Sequence, residues 1–287
     1  METTKKGAIG IFDSGYGGLT ILRYLQKVLP QYDYLYLGDN ARAPYGSHSY
    51  EVIYQYSREA VSFLFAQGCP LIIFACNTAS AKALRCIQKT DLVKSSDPSR
   101  RVLGVIRPVI EHLGQLPNGT HVGLVGTKAT ISSNSYGVEA EKYAPNIHLT
   151  QMATPMWVPL IENGELDGNE GVKYFLKRDL DKLLSIDPKI SYIQLACTHY
   201  PLLMPIINEL LPEGLNAIGQ GDILAQSLKK YLLRHPEMEK RLSTGGQTKY
   251  CTTEEKDLFN ELASIFLGEE IASDAITHVT LSPIVNI

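Results

Sequence analysis

Two cysteines stand where this sequence could do chemistry. Cys76 closes the apolar run Leu71–Ala75 and is followed by Asn77-Thr78-Ala79-Ser80. Cys197 closes Tyr192–Ala196 and is followed by Thr198-His199-Tyr200-Pro201. Such residues can open a helix, with Pro201 suited to a first turn, and the free N–H groups there favour a thiolate and hold an anion. His199, two positions past Cys197, can exchange a proton with that thiol or with a bound ligand. Asp13 and Asp39 also end apolar runs, and open α/β sheets bind ligands beyond the carboxyl ends of their strands. The remaining cysteines read as small buried hydrophobes: Cys69 precedes a strand, Cys86 lies within a helix and Cys251 falls in a late loop.

The elements that must position these residues alternate short apolar runs with segments of helical period, the pattern of a mainly parallel α/β fold. Ala8–Phe12 reads as a buried strand leading into the turn Asp13–Gly18. Leu19, Leu22, Leu25 and Leu29 then mark a helix stopped by Pro30. Tyr34–Gly38 is a second strand, followed by the loop Asp39–Gly46 and a helix carrying Val52, Tyr56, Phe63 and Leu64. The polar stretch Asp91–Arg101 reads as a linker, after which the pattern restarts with the strand His121–Val125 and the turn Gly126-Thr127. Two halves thus echo each other, each with a strand ending in cysteine. Two helical patterns, Asp222–Leu233 and Glu254–Leu267, return to the first half. The expected division is 1–100 with 214–287 as one α/β domain and 101–213 as a second, three-layered and pseudo-symmetric.

Composition excludes several classes. A chain of 287 residues with 44% apolar content can build a core, so disorder is ruled out. Twenty-seven Lys and Arg against 30 Asp and Glu leave no positive excess to hold nucleic acid. No apolar stretch approaches the ~20 residues of a membrane span, and Asp13 interrupts the N-terminal region too early for a signal peptide. Five widely spaced cysteines without Cys-x-x-Cys suggest neither a disulfide framework nor a zinc ribbon, and point to the reducing cytoplasm. Cys-x-His at 197 and 199 lacks the ligand pairs of a metal site. Gly15-x-Gly17 is followed by Thr20 where a dinucleotide fingerprint needs glycine, and no phosphate-binding G-x-x-x-x-G-K-[ST] loop occurs. No cofactor or metal is expected.

Taken together and in order, the motifs resemble those of the glutamate racemases, in the aspartate/glutamate racemase superfamily. The resemblance covers most of the chain. It rests on Gly10–Gly15 through Thr20, Gly38–Gly46, Ala75–Ala81, Gly126–Ile131, Val158–Glu162 and Ala196–Leu203. It implies two α/β domains enclosing glutamate, a homodimer, and an activity that supplies D-glutamate for peptidoglycan. It also implies that Cys76 and Cys197 are the two acid/bases, taking the proton from the D- and L-enantiomer respectively. Substrate contacts would fall on Asp13, Ser14, Tyr45, Gly46, Asn77, Thr78, Thr198 and His199. Asp13, Asp39, Glu162 and His199 match residues that support proton transfer. The chain departs from the usual pattern at Asn40, where Thr is common, at Gly219-Gln220-Gly221-Asp222 in place of a Ser-Gly-Asp or Ser-Gly-Glu turn, and in the length of the Asp91–Arg101 loop.

The chemistry gives two cysteines a reason. Inverting an α-carbon removes a proton from one face and delivers one to the other, whereas a lone base sealed from solvent mostly returns its own proton. Each sulfur should lie roughly 3–3.5 Å from the α-carbon, one as thiol and one as thiolate, with helix-start N–H groups lowering their pKa values. Hydroxyls and N–H groups of Ser14, Asn77, Thr78 and Thr198 would hold the α-carboxylate. The competing readings are a racemase of another acidic amino acid such as aspartate, against which Ser80 and His199 speak, and a non-catalytic ligand-binding regulator.

Overall fold

In the computed structural model, which describes residues 6–282, the outermost ends of the expected first domain (1–5 and 283–287) lie outside the described residues. Among the described residues the strands are, in chain order, β1 (Ile9–Asp13), β2 (Tyr34–Gly38), β3 (Leu71–Phe74), β4 (Arg101–Gly104), β5 (Thr120–Gly126), β6 (Ile147–Ala153), β7 (Ile190–Ala196), β8 (Ala217–Ile218), β9 (Thr248–Thr252) and β10 (Ile276–His278). They form two parallel sheets, ordered β10-β9-β2-β1-β3-β4 and β6-β5-β7-β8. Helices flank both, so the chain adopts the α/β architecture its alternating pattern predicts.

The first sheet is buried on both faces, which is why its strands read as unbroken apolar runs. Ile9 and Ile11 of β1 pack with Leu19, Leu22 and Leu25 of the helix Gly18–Val28. Phe12 points the other way, 5.0 Å from the Phe74 ring, and packs with Ile53 and Leu64 of the helix Tyr50–Ala66. That second helix is started by Ser49, whose Oγ accepts the Val52 N–H at 3.4 Å. The late helices Gly221–Arg234 and Lys256–Leu267 pack against Gly18–Val28.

The sheets divide the chain near the expected boundaries but not at them. Arg101–Gly104 pairs with β3 and therefore belongs to the first sheet, while Ala217-Ile218 pairs with β7 and belongs to the second. The polar stretch before Arg101 is an excursion of the first lobe and no linker: Arg58 pairs with Asp91 at 3.1 Å, and Arg241 holds Asp97 at 2.5 Å. The chain crosses between lobes after Gly104 and again after Ile218. Cys251 lies in β9, not in a loop, because the apolar Tyr250-Cys251 pair is buried beside β2.

Candidate active site

Parallel sheets place all their strand carboxyl ends on one edge, and here the edges of the two sheets face each other across a cleft of about 650 Å³. Its lining includes Ser14, Tyr45, Cys76, Thr127, Thr154 and Cys197, which follow or lie just beyond β1, β2, β3, β5, β6 and β7. A larger cavity, about 790 Å³, is lined by Arg85, Arg107 and Arg234 but holds neither of these thiols, so chemistry and not size marks the site.

The first lobe supplies Cys76, only 5% exposed, as the cap of the short helix Asn77–Lys82. Its Sγ accepts the Ala79 N–H at 3.4 Å and lies 3.3 Å from Ser14 Oγ. The expected lowering of this thiol does not occur. Burial pushes it up to about 12, the Asp13 carboxylate adds to the rise, and the hydrogen bonds from Ser14 and Ala79 offset only part of it. At neutral pH Cys76 is a thiol.

Cys197 is built differently. The helical turn after it begins only at Tyr200, as 3-10, and passes into the helix Met204–Leu210, so no cap hydrogen bond reaches its sulfur. Instead its Sγ lies 3.9 Å from His199 Nδ1, and His199 Nε2 lies 3.1 Å from Glu162 Oε1. Burial opposes the charge on His199, yet the Cys197 sulfur and the Glu162 carboxylate together raise it to about 10. An imidazolium therefore faces Cys197. The two echoed cysteines are chemically unequal.

Asp13 and Asp39 do not line the cleft. Asp13 is fully buried beneath its floor, where Oδ1 accepts the Gly15 N–H at 2.9 Å and Oδ2 accepts Thr198 Oγ1 at 3.4 Å from the other lobe. Burial raises its carboxyl, against the pull of His199 and of the N–H groups of Gly15 and Gly18. Direct substrate contact by Asp13 is not what this geometry offers; it reaches the cleft through Thr198. Asp39 accepts Arg42 Nε at 2.8 Å, Thr253 Oγ1 at 3.0 Å and the Tyr45 hydroxyl, and Arg42 also binds Glu59 at 2.5 Å. These contacts fix the loop that carries Tyr45 and Gly46 to the cleft. The other expected residues (Ser14, Asn77, Thr78, Thr198, His199 and Glu162) all line it.

Some site residues escaped the sequence. Thr127 reaches across to Thr78, Oγ1 to Oγ1 at 3.0 Å, and is braced by Thr130. Its position right after β5 repeats that of Asp39 after β2, a signal that was there to read. Thr20 donates to the Thr198 carbonyl at 2.9 Å, a further bridge between lobes. Gln220 bonds the Asn77 amide, which no local pattern announces.

A two-lobed parallel α/β protein with one thiol from each lobe facing a shared cleft is the class of protein these features define. The family model for Asp/Glu/Hydantoin racemase matches residues 19–228, and the chain belongs to that family. Within it, the chain is similar to the glutamate racemase of Ruegeria sp. (strain TM1040), 38% identical over 278 residues that span 93% of this chain and 99% of the relative. That of Persephonella marina (strain DSM 14350 / EX-H1) is 37% identical over 92% of this chain and 95% of the relative. Among solved structures, a glutamate racemase isoform from Bacillus anthracis superposes with a TM-score of 0.84 at 30% identity, covering 96% of this chain and 98% of that one. The glutamate racemase of Francisella tularensis subsp. tularensis SCHU S4 in complex with D-glutamate gives 0.81 at 30% identity, covering 96% and 97%.

Proposed function

We propose that this protein interconverts L-glutamate and D-glutamate without a cofactor, passing the α-proton between Cys76 and Cys197 and supplying D-glutamate for peptidoglycan. The observation that carries this reading is the pair of buried thiols, 5% and 6% exposed, lining one cleft from opposite lobes. The relatives named above are glutamate racemases, and Lys82 and Lys128 at the same cleft suit a substrate with two carboxylates.

The two lobes act as jaws. Glutamate sits with its α-carbon between the sulfurs, its α-carboxylate held by hydroxyls and N–H groups of Ser14, Asn77, Thr78 and Thr198. At rest Cys76 is the thiol, and the imidazolium of His199 provides a counter-charge for the anion on the Cys197 side. With L-glutamate bound, the Cys197 sulfur takes the α-proton and Cys76 delivers its own to the opposite face. The product leaves a thiol at Cys197 and a thiolate at Cys76, the state that receives D-glutamate. Return to rest moves one proton across, with Ser14 beside Cys76 and the His199–Glu162 pair beside Cys197 as the groups in place to handle it. Enclosure between the lobes keeps water from the carbanion and strengthens its electrostatic support. The reading includes a cytoplasmic homodimer, as the family resemblance implies.

The test is circular dichroism of L-glutamate with purified, reduced protein and nothing added. The signal should decay to zero, and D-glutamate should approach the same end point from the other side. Faster decay with aspartate would reassign the substrate, and no change with either would favour a ligand-binding module.

A further inference from the structure

The turn at Gly219–Asp222 lies at the second crossing between lobes. Gln220 there is 2% exposed, and its amide is fully engaged. Its Oε1 accepts Asn77 Nδ2 at 2.7 Å, and its Nε2 donates to Asn77 Oδ1 at 3.0 Å and to the Tyr136 hydroxyl at 2.6 Å. Tyr136, fully buried, in turn donates to Asn77 Oδ1 at 2.7 Å. Three residues from three segments close a ring: Asn77 beside the Cys76 thiol, Tyr136 in the second lobe, and Gln220 at the crossing.

An amide has two donor hydrogens and one oxygen with two lone pairs. Both lone pairs of Asn77 Oδ1 are used, by Gln220 and Tyr136, and one Nδ2 hydrogen goes to Gln220. The single unspent group on the Asn77 side-chain amide is an N–H, and Asn77 lines the cleft. Were the amide free to turn over, half its orientations would offer an oxygen to the substrate, and oxygen repels a carboxylate.

We infer that Gln220 is a positioning residue that holds the Asn77 amide against rotation, in the plane from which its spare N–H meets the substrate α-carboxylate beside Cys76. A serine at this place would be too short to hold both Asn77 and Tyr136. The inference deepens the racemase reading and rests on it.

Gln220→Met keeps length and apolar volume and removes every polar contact. Steady-state racemisation by this variant should show KM for glutamate raised about tenfold, the worth of one hydrogen bond to a charged group, with kcat within about threefold. Because the two enantiomers are equally stable, kcat/KM must fall equally in both directions. Tyr136→Phe, which removes one of the two anchors on Asn77 Oδ1, should move KM the same way by less, and it decides the matter if Gln220→Met fails to fold. An unchanged KM in folded variants, or a fall in kcat at constant KM, overturns the inference, since a merely structural strut would lower thermal stability alone. Calorimetric glutamate binding, measured alongside, separates this idea from the racemase reading. Wild type that binds but does not turn over sinks the latter, while weaker binding by the variants still upholds the former.

Discussion

Gly17 of the first lobe lies directly against Thr198 and His199 of the second: a β-carbon at Gly17 would fall 2.2 Å from Thr198 Oγ1 and 2.4 Å from His199 Nδ1. The glycine that resembles part of a nucleotide fingerprint is there so that two lobes can meet at the Cys197 turn. Gly17→Ala must displace the His199 ring or hold the lobes apart. We expect kcat to fall by roughly tenfold or more, the scale of an overpacked contact, with little change in far-ultraviolet circular dichroism. Normal turnover by folded Gly17→Ala would show that the contact is not needed for catalysis.

The two cysteines should separate in an isotope experiment. Under the proposed mechanism Cys76→Ser retains the base for L-glutamate and loses the partner that completes inversion. In deuterated water it should therefore label recovered L-glutamate at the α-carbon while net racemisation falls by at least about a thousandfold, the scale of losing an essential acid/base. Cys197→Ser should label D-glutamate instead. Equal labelling of both enantiomers by either variant would refute the assignment of faces.

His199 should be charged well above its ordinary value of 6.5, since Cys197 and Glu162 raise it to about 10 despite burial. A nuclear magnetic resonance titration of its ring is expected to show imidazolium through pH 8. Glu162→Gln should move the transition downward. The sign for stability follows. Because the folded value is raised, the contribution of the charged ring is fully present below about 6.5 and is lost as pH rises through about 10. Wild type should lose its thermal-stability margin over His199→Asn across that alkaline window. A ring that titrates near its ordinary value would remove the counter-charge from the mechanism.

Cys86 should react with alkylating agents ahead of the deeply buried thiols whose titration burial raises. Cys86 is half-buried, and hydrogen bonds from Thr90 and Tyr54 lower its thiol, whereas burial raises Cys69 to about 12 and Cys251 to about 11. Iodoacetamide near neutral pH should label Cys86 ahead of Cys76, Cys69 and Cys251, as read by peptide mass spectrometry. Cys86→Ser should keep full activity. Inactivation that tracks the Cys86 label would contradict this order.

Much of this protein was written in short range. Buried parallel strands read as unbroken apolar runs, so β1, β2, β3 and β7 were visible, and with them Asp13, Cys76 and Cys197 at strand carboxyl ends. The polar stretch before Arg101 misled because charge density marks exposure, and an exposed loop within a lobe looks the same as a linker between two. Sheet membership of β4 and β8 depends on pairing with strands 30 and 24 residues away in sequence, which no local pattern encodes.

What the sequence determined by itself was the α/β alternation, the two strand-end cysteines and the histidine beside one of them. Only the tertiary structure decided that the cysteines are unequal: Cys76 is raised by burial and by Asp13, while Cys197 faces an imidazolium held by Glu162. It alone placed Gln220 against Asn77 and Gly17 against Thr198. Burial and charge are properties of what surrounds an atom, and the surroundings of these atoms come from chain segments up to 185 residues apart.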